Sequence, residues 1–292
     1  MLMKRLLFLK REFILILALV LGLAASELTR YTEPLVLPVL GVVMTLSIMM
    51  ISGQELRSIQ KLIAPLLWGM VMNYLVLSGV ILSTSALIIR DPDFWTGFVI
   101  LASVPPAVAV IPFTDFLGGN LSYALIGTIG AYLAGLILMP VVAGIFLGSA
   151  VFQPTSLLFI IISLIVAPLL LSRLFLLLRF DRWIDHVRGP LTNWGFFLVA
   201  FTIVGSNRDF IFKKPLDLLP VLLTAVLIMF CLGFIIEYTA KLFRINFGTG
   251  KALLFLGTLK NYGLAGGVSL SLFNTKTALP ATVCVFVMVA YI

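Results

Sequence analysis

Almost the whole chain is a succession of apolar runs, each long enough to cross a bilayer, with gaps too short to hold anything else. Roughly 20 predominantly apolar residues span the hydrocarbon core as a helix. Ten such runs fit along the sequence: 6–26, 34–53, 63–89, 94–117, 121–147, 154–178, 190–207, 215–238, 248–271 and 277–292. Lipid offers backbone groups no water, so each run must close its hydrogen bonds within itself as a helix. Only 11% of the 292 residues are charged and 61% are hydrophobic. With a mean hydropathy of +1.18, a water-soluble domain of this size could not hide its apolar surface. The predicted fold class is all-α integral membrane, with ten transmembrane helices.

The gaps carry turn formers and charge: Arg90-Asp91-Pro92-Asp93, Gly118-Gly119-Asn120, Gln153-Pro154 and Lys213-Lys214-Pro215. Basic residues give the chain a net charge of +8. They sit mainly in these gaps, so they report topology rather than a nucleic-acid partner. With the N-terminus inside, the inner ends collect about twice as many Lys and Arg as the outer ends. That places both termini in the cytoplasm. Lys4, Arg5, Lys10 and Arg11 precede the apolar stretch from Phe13 to Ala25 in the manner of a signal peptide, but Ser26-Glu27 opens another hydrophobic segment, so a first membrane helix is expected. Cys231 and Cys284 lie inside apolar runs and suit packing. His186 is expected in a charged loop. No spacing resembles a zinc set, a P-loop or a nucleotide fingerprint, so neither enzymatic chemistry nor a cofactor is expected.

Ten spans divide into two sets of five, and an odd number per set inverts the second set relative to the first. The fourth and ninth runs then correspond, and they are the most interrupted. The fourth carries Pro105, Pro106 and Pro112; the ninth carries Gly257, Gly263 and Gly266-Gly267. Proline removes a backbone donor, and groups freed in lipid need a protein-lined or wet cavity. Broken helices can offer dipole ends and bare carbonyls to ions and substrates; simply kinked helices are the plainer alternative. Lys260 lies deep in the ninth run, too far from either face to snorkel easily, so a cavity or a partner must face it. It suits a counter-charge for an anion, a proton-carrying amine or a replacement for a bound cation, and equally a structural amine on broken-helix carbonyls. Asn73, Thr114, Thr128 and Asn261 are the other candidate site residues, with interhelical bonding as the alternative for Asn73 and Thr128. Asp115 is expected near an interface, and Glu237 and Lys241 are spaced to pair on a helix.

The order of these features resembles the bile acid:sodium symporter family along nearly the whole chain. The likeness is strongest at Leu117-Gly118-Gly119-Asn120-Leu121-Ser122, Lys260-Asn261-Tyr262-Gly263-Leu264-Ala265 and Ala278-Leu279-Pro280-Ala281. It implies a bacterial-type, ten-helix member in the plasma (inner) membrane, with spans four and nine crossing at their breaks. It also implies two interleaved domains: a core from 63–148 and 211–292, and a panel from 1–62 and 149–210. Substrate would be a small organic anion, bile-acid-like or a carboxylate, bound between core and panel and usually moved with sodium. A monomer is expected to suffice.

The departures matter as much as the matches. Where the family carries sodium-binding groups, this chain has Leu256, Val110, Ile111 and Ala124, while Thr128 is kept and Asn73 stands where a glutamine is usual. The usual glutamine of the ninth helix is Lys260. A unit charge about 4 Å from a cation costs roughly 4 kcal/mol at an effective dielectric of 20. The expectation is transport by alternating access that does not depend on sodium, with a proton favoured as coupling ion, Lys260 supplying charge and Asn261 contacting substrate. A sodium-coupled symporter of the same fold, and a facilitator or receptor on the scaffold, are the alternatives.

Overall fold

A computed structural model describes residues 11–49, 59–107, 109–148, 155, 159 and 162–291. Among these residues there are helices and no strands. In chain order they are α1 (Arg11–Ala24), α2 (Ser26–Ile48), α3 (59–88), α4 (Pro92–Ser103), α5 (Val110–Phe116), α6 (Leu121–Leu147), α7 (Ile162–Leu177), α8 (Asp181–Ser206), α9 (Arg208–Lys213), α10 (Pro215–Leu242), α11 (Phe247–Leu256), α12 (Tyr262–Leu272) and α13 (Lys276–Tyr291). Five helical stretches are long and apolar enough to cross a bilayer, within α2, α3, α6, α8 and α10, and shorter apolar helices accompany them. A multi-pass integral membrane protein follows.

Polar caps start the helices where the gaps end. Asp91 accepts the Asp93 and Phe94 N–H groups at the start of α4, and Asn120 accepts that of Tyr123 at the start of α6. Asn246 does the same for Thr249 on α11 and Asn274 for Thr277 at α13. Each satisfies a donor that the first helical turn leaves without a partner. Gly118, at φ 67°, makes the turn before Asn120 in a region open to glycine.

The long helices α3 and α6 pack against each other closely enough that side chains cannot intervene. A Cβ on Gly130 would stand 2.6 Å from the Leu66 carbonyl, and one on Gly69 2.1 Å from the Gly127 carbonyl. Small residues replace the hydrophobic effect as the means of helix association in lipid. Elsewhere α8 lies along α1 and α2, and α7 lies on α2, whereas α4 packs on α3, α6, α12 and α13.

Two expectations change. The seventh run was expected from residue 190, with His186 in a loop; α8 instead begins at Asp181 and takes in Arg182, His186 and Arg188. A helix need not stop where the apolar sequence stops, since water satisfies its polar face beyond the membrane. In addition, α3 and α10 each contain a π-helical stretch, Val71–Leu77 and Leu227–Cys231, which no proline or glycine announces. The expected start of the first run at residue 6 and the end of the second at 53 lie outside the described residues.

Candidate functional site

The fourth and ninth runs are both broken, and the breaks meet. After Ser103, Val104 turns extended (ψ 155°) ahead of Pro105-Pro106, as a residue preceding proline must. Helix α4 ends there with its last carbonyls open. In the ninth run α11 stops at Gly257 and α12 starts after Asn261. The two extended segments pair antiparallel, Pro106 against Lys260. The Asn261 N–H donates to Pro105 O at 3.0 Å and the Ala107 N–H to Leu259 O at 3.3 Å. Backbone groups that the breaks release thus satisfy one another. Pro112 and Gly263 lie past the breaks, in the first turns of α5 and α12.

Lys260 is 0% exposed. Its Nζ donates to Asn73 Oδ1 at 2.8 Å, Val104 O at 2.8 Å and Ala102 O at 2.9 Å, and lies 4.5 Å from the centre of the Tyr74 ring. Two of the three acceptors are carbonyls at the frayed C-terminal end of α4, the negative end of its dipole. Asn73 is fixed as an acceptor toward the amine, because its Nδ2 donates to Leu256 O at the end of α11. The π-helical turn that carries Asn73 leaves its carbonyl to Ser78, whose hydroxyl donates to Asn73 O and to Ala102 O.

Asn261 faces the other way. Its Oδ1 caps α12 by accepting the Leu264 N–H at 3.0 Å, which turns its Nδ2 toward Tyr132 Oη and Met44 Sδ. It reaches a cavity of about 470 Å³ whose polar lining includes Ser47, Arg188, Thr192, Asn193, Lys260 and Thr282. No carboxylate is among the described lining residues.

The structure therefore brings Lys260, Asn73 and Asn261 together at the crossing. Thr114 and Thr128 are buried, but their hydroxyls bond to Val110 O and Ala124 O of their own helices. Leu256, Val110, Ile111 and Ala124 are buried apolar side chains with no oxygen to offer an ion. Among the described residues no group of three or more His, Cys, Asp or Glu could hold a metal. Ser78, Tyr74, Tyr132 and Arg188 escaped the sequence reading. Ser78 stands five residues after Asn73, a spacing that joins them only through the π-helical turn.

Asp115 is exposed. Glu237 does pair with Lys241, at 3.6 Å, and more closely with Lys251 of α11, at 3.1 Å.

No curated protein matches this sequence. A family model does: that of the Sodium Bile acid symporter family matches residues 37–214. It takes in the first of the two crossing segments, while the second, with Lys260 and Asn261, lies beyond it. The match spans more than half of an all-helical, strongly apolar chain, and the protein belongs to the sodium bile acid symporter family.

Proposed function

We propose that this protein is a secondary transporter of small organic anions that works by alternating access without sodium. Members of its family are membrane transporters. The observation that carries the finer reading is the Lys260 ammonium, held by three oxygens at 2.8–2.9 Å at the meeting point of two broken helices. A second cation there would meet repulsion of roughly 4 kcal/mol at about 4 Å and an effective dielectric of 20, with apolar side chains at Leu256, Val110, Ile111 and Ala124 offering it no oxygen. On the cavity side, the Asn261 amide, the Arg188 charge and the N-terminal end of α12 favour an anion.

In this reading α3–α6 and α10–α13 form a core, and α1, α2, α7 and α8 a panel. The cavity supports that division, since Leu15, Ser47 and Arg188 line it from one group and Ala107, Asn261 and Thr282 from the other. Inverted repetition is supported by corresponding details. A π-helical stretch interrupts both α3 and α10. Side-chain caps open α4 and its counterpart α11, and likewise α6 and α13. The basic-residue asymmetry supports cytoplasmic termini.

The test is uptake of taurocholate and of lactate into liposomes holding the purified protein, with sodium outside or with N-methylglucamine in its place. Equal uptake of at least one anion in both media is expected. Uptake only in sodium, or of neither anion, overturns the reading.

A further inference from the structure

We infer that the Lys260 ammonium is a non-exchanging, built-in cation: it keeps its proton through the transport cycle, so the anion moves with neither sodium nor a proton as coupling ion. The inference rests on the transport reading above and decides between the fixed-charge and proton-carrier roles open to this amine.

The geometry matches an ammonium donor for donor. It has three N–H groups, and three acceptors stand around it at hydrogen-bond distance. None of the three has a proton to give in return. Ala102 O and Val104 O are backbone carbonyls. The Asn73 amide cannot turn to present its Nδ2, because that nitrogen holds Leu256 O. A neutral amine would aim its lone pair at an oxygen lone pair and lose one of three charge-assisted bonds, though Ala102 O would keep the Ser78 hydroxyl as a donor.

Electrostatics points the same way. The C-terminal ends of α4 and α11 both converge here, the first through Ala102 O and Val104 O and the second through Leu256 O and Asn73. Each helix end carries about half a negative charge, so one ammonium balances the pair. The face of Tyr74 adds a favourable quadrupole. Tyr74 on α3, Tyr132 on α6, Tyr262 on α12 and Cys284 on α13 are titratable but uncharged at neutral pH; of the charged groups on the surrounding elements, Asp93 pairs with Lys276, Lys251 pairs with Glu237, and Asp115 is exposed. Among the described residues no carboxylate lies within ion-pair distance of the amine to receive its proton. The Lys260 side chain is 0% exposed, although the residue borders the cavity that Asn261 faces.

Solution NMR of protein labelled with 15N at lysine Nζ, in detergent micelles between pH 5 and 9, tests this directly. The Lys260 resonance is the one missing from Lys260→Arg. It is expected to hold the ammonium position over the whole range; movement to the amine position overturns the inference. A second measurement needs no assignment: the difference in thermal midpoint between wild type and Lys260→Met should stay constant from pH 6 to 9, and a change with pH overturns the inference. Sodium-requiring uptake would refute the transport reading whatever the resonance does, whereas a titrating resonance with sodium-independent uptake refutes only this inference.

Discussion

Asn73 holds two helix ends at once, its Oδ1 facing the Lys260 amine and its Nδ2 facing Leu256 O. Replacing it with leucine leaves the ammonium one acceptor short and a buried carbonyl without a donor. A hydrogen bond to a charged group contributes about 1.5–3 kcal/mol, and a stranded buried partner costs about 1–3 kcal/mol. Asn73→Leu is therefore expected to destabilise the protein by about 3 kcal/mol or more. Thr128→Val removes only a bond from a hydroxyl to its own helix and keeps the shape, so a loss of under about 1 kcal/mol is expected. Urea unfolding of both variants in the same detergent gives the comparison, and equal losses would count against the assigned geometry. Lys260 and Asn73 were legible in the sequence because polarity deep in an apolar run is conspicuous. That Thr114 and Thr128 turn back on their own helices was not, because a threonine reads the same in sequence whether its hydroxyl bonds within the helix or across to a neighbour.

At the scale of elements, the interruptions were legible and the windings were not. Pro105-Pro106 and Gly257 mark the two breaks, since each residue type has a stated backbone consequence. The stretches Val71–Leu77 and Leu227–Cys231 are composed like any other membrane helix, and only packing reveals the extra residue per turn. The extension of α8 back to Asp181 was missed for a related reason: hydropathy finds the lipid-facing length, not the helix. The loops that close the core at one end also have a chemistry of their own. Lys276 pairs with Asp91, lies 3.5 Å from Asp93, and stands over the rings of Phe94 and Phe210. Partial burial raises the affinity of Asp91 for its proton, but the Lys276 bond and charge and the two backbone N–H groups together outweigh it, holding the carboxyl below its ordinary value. A depressed folded value means stability that is present above the unfolded value of about 3.9 and is lost as pH falls through the folded one. Asp91→Asn keeps the cap and removes the charge. The wild-type advantage in thermal midpoint over this variant, about 2 °C or less for a partly exposed pair, is expected above pH 5 and should vanish toward pH 2. An advantage that persists undiminished in acid would show that the pair is not its source.

At the scale of the molecule, the cavity is one-sided. Exposed Gly189 and Pro112 are among its lining residues, which sets its mouth at the end where α8 begins. Along α8 the lining runs from Arg188 to Ile203, about 22 Å at 1.5 Å per residue. One turn further on, Asn207 closes the opposite end, its Nδ2 donating to Ile203 O at 2.8 Å and to Thr275 O, ahead of α13, at 2.7 Å. Phe210 packs edge-on against Phe94 beside it. If α8 and the crossing helices are parts that rock against each other, this contact must break for the cavity to open at its far end. A net hydrogen bond contributes about 0.5–1.5 kcal/mol, and a tenfold shift in an equilibrium takes about 1.4 kcal/mol, so Asn207→Leu should raise the population open at that end by about two- to tenfold. Thr192→Cys, which lines the cavity, reports the change once Cys231 and Cys284 are replaced by serine and alanine. In sealed liposomes of known orientation, a membrane-impermeant maleimide should reach this thiol mainly from the Gly189 side. Adding Asn207→Leu should speed labelling from the other side by that factor and slow it from the first. Labelling that starts out equal from the two sides, or an Asn207→Leu variant that changes neither rate, would mean that the Asn207–Thr275 contact does not divide an inward from an outward state.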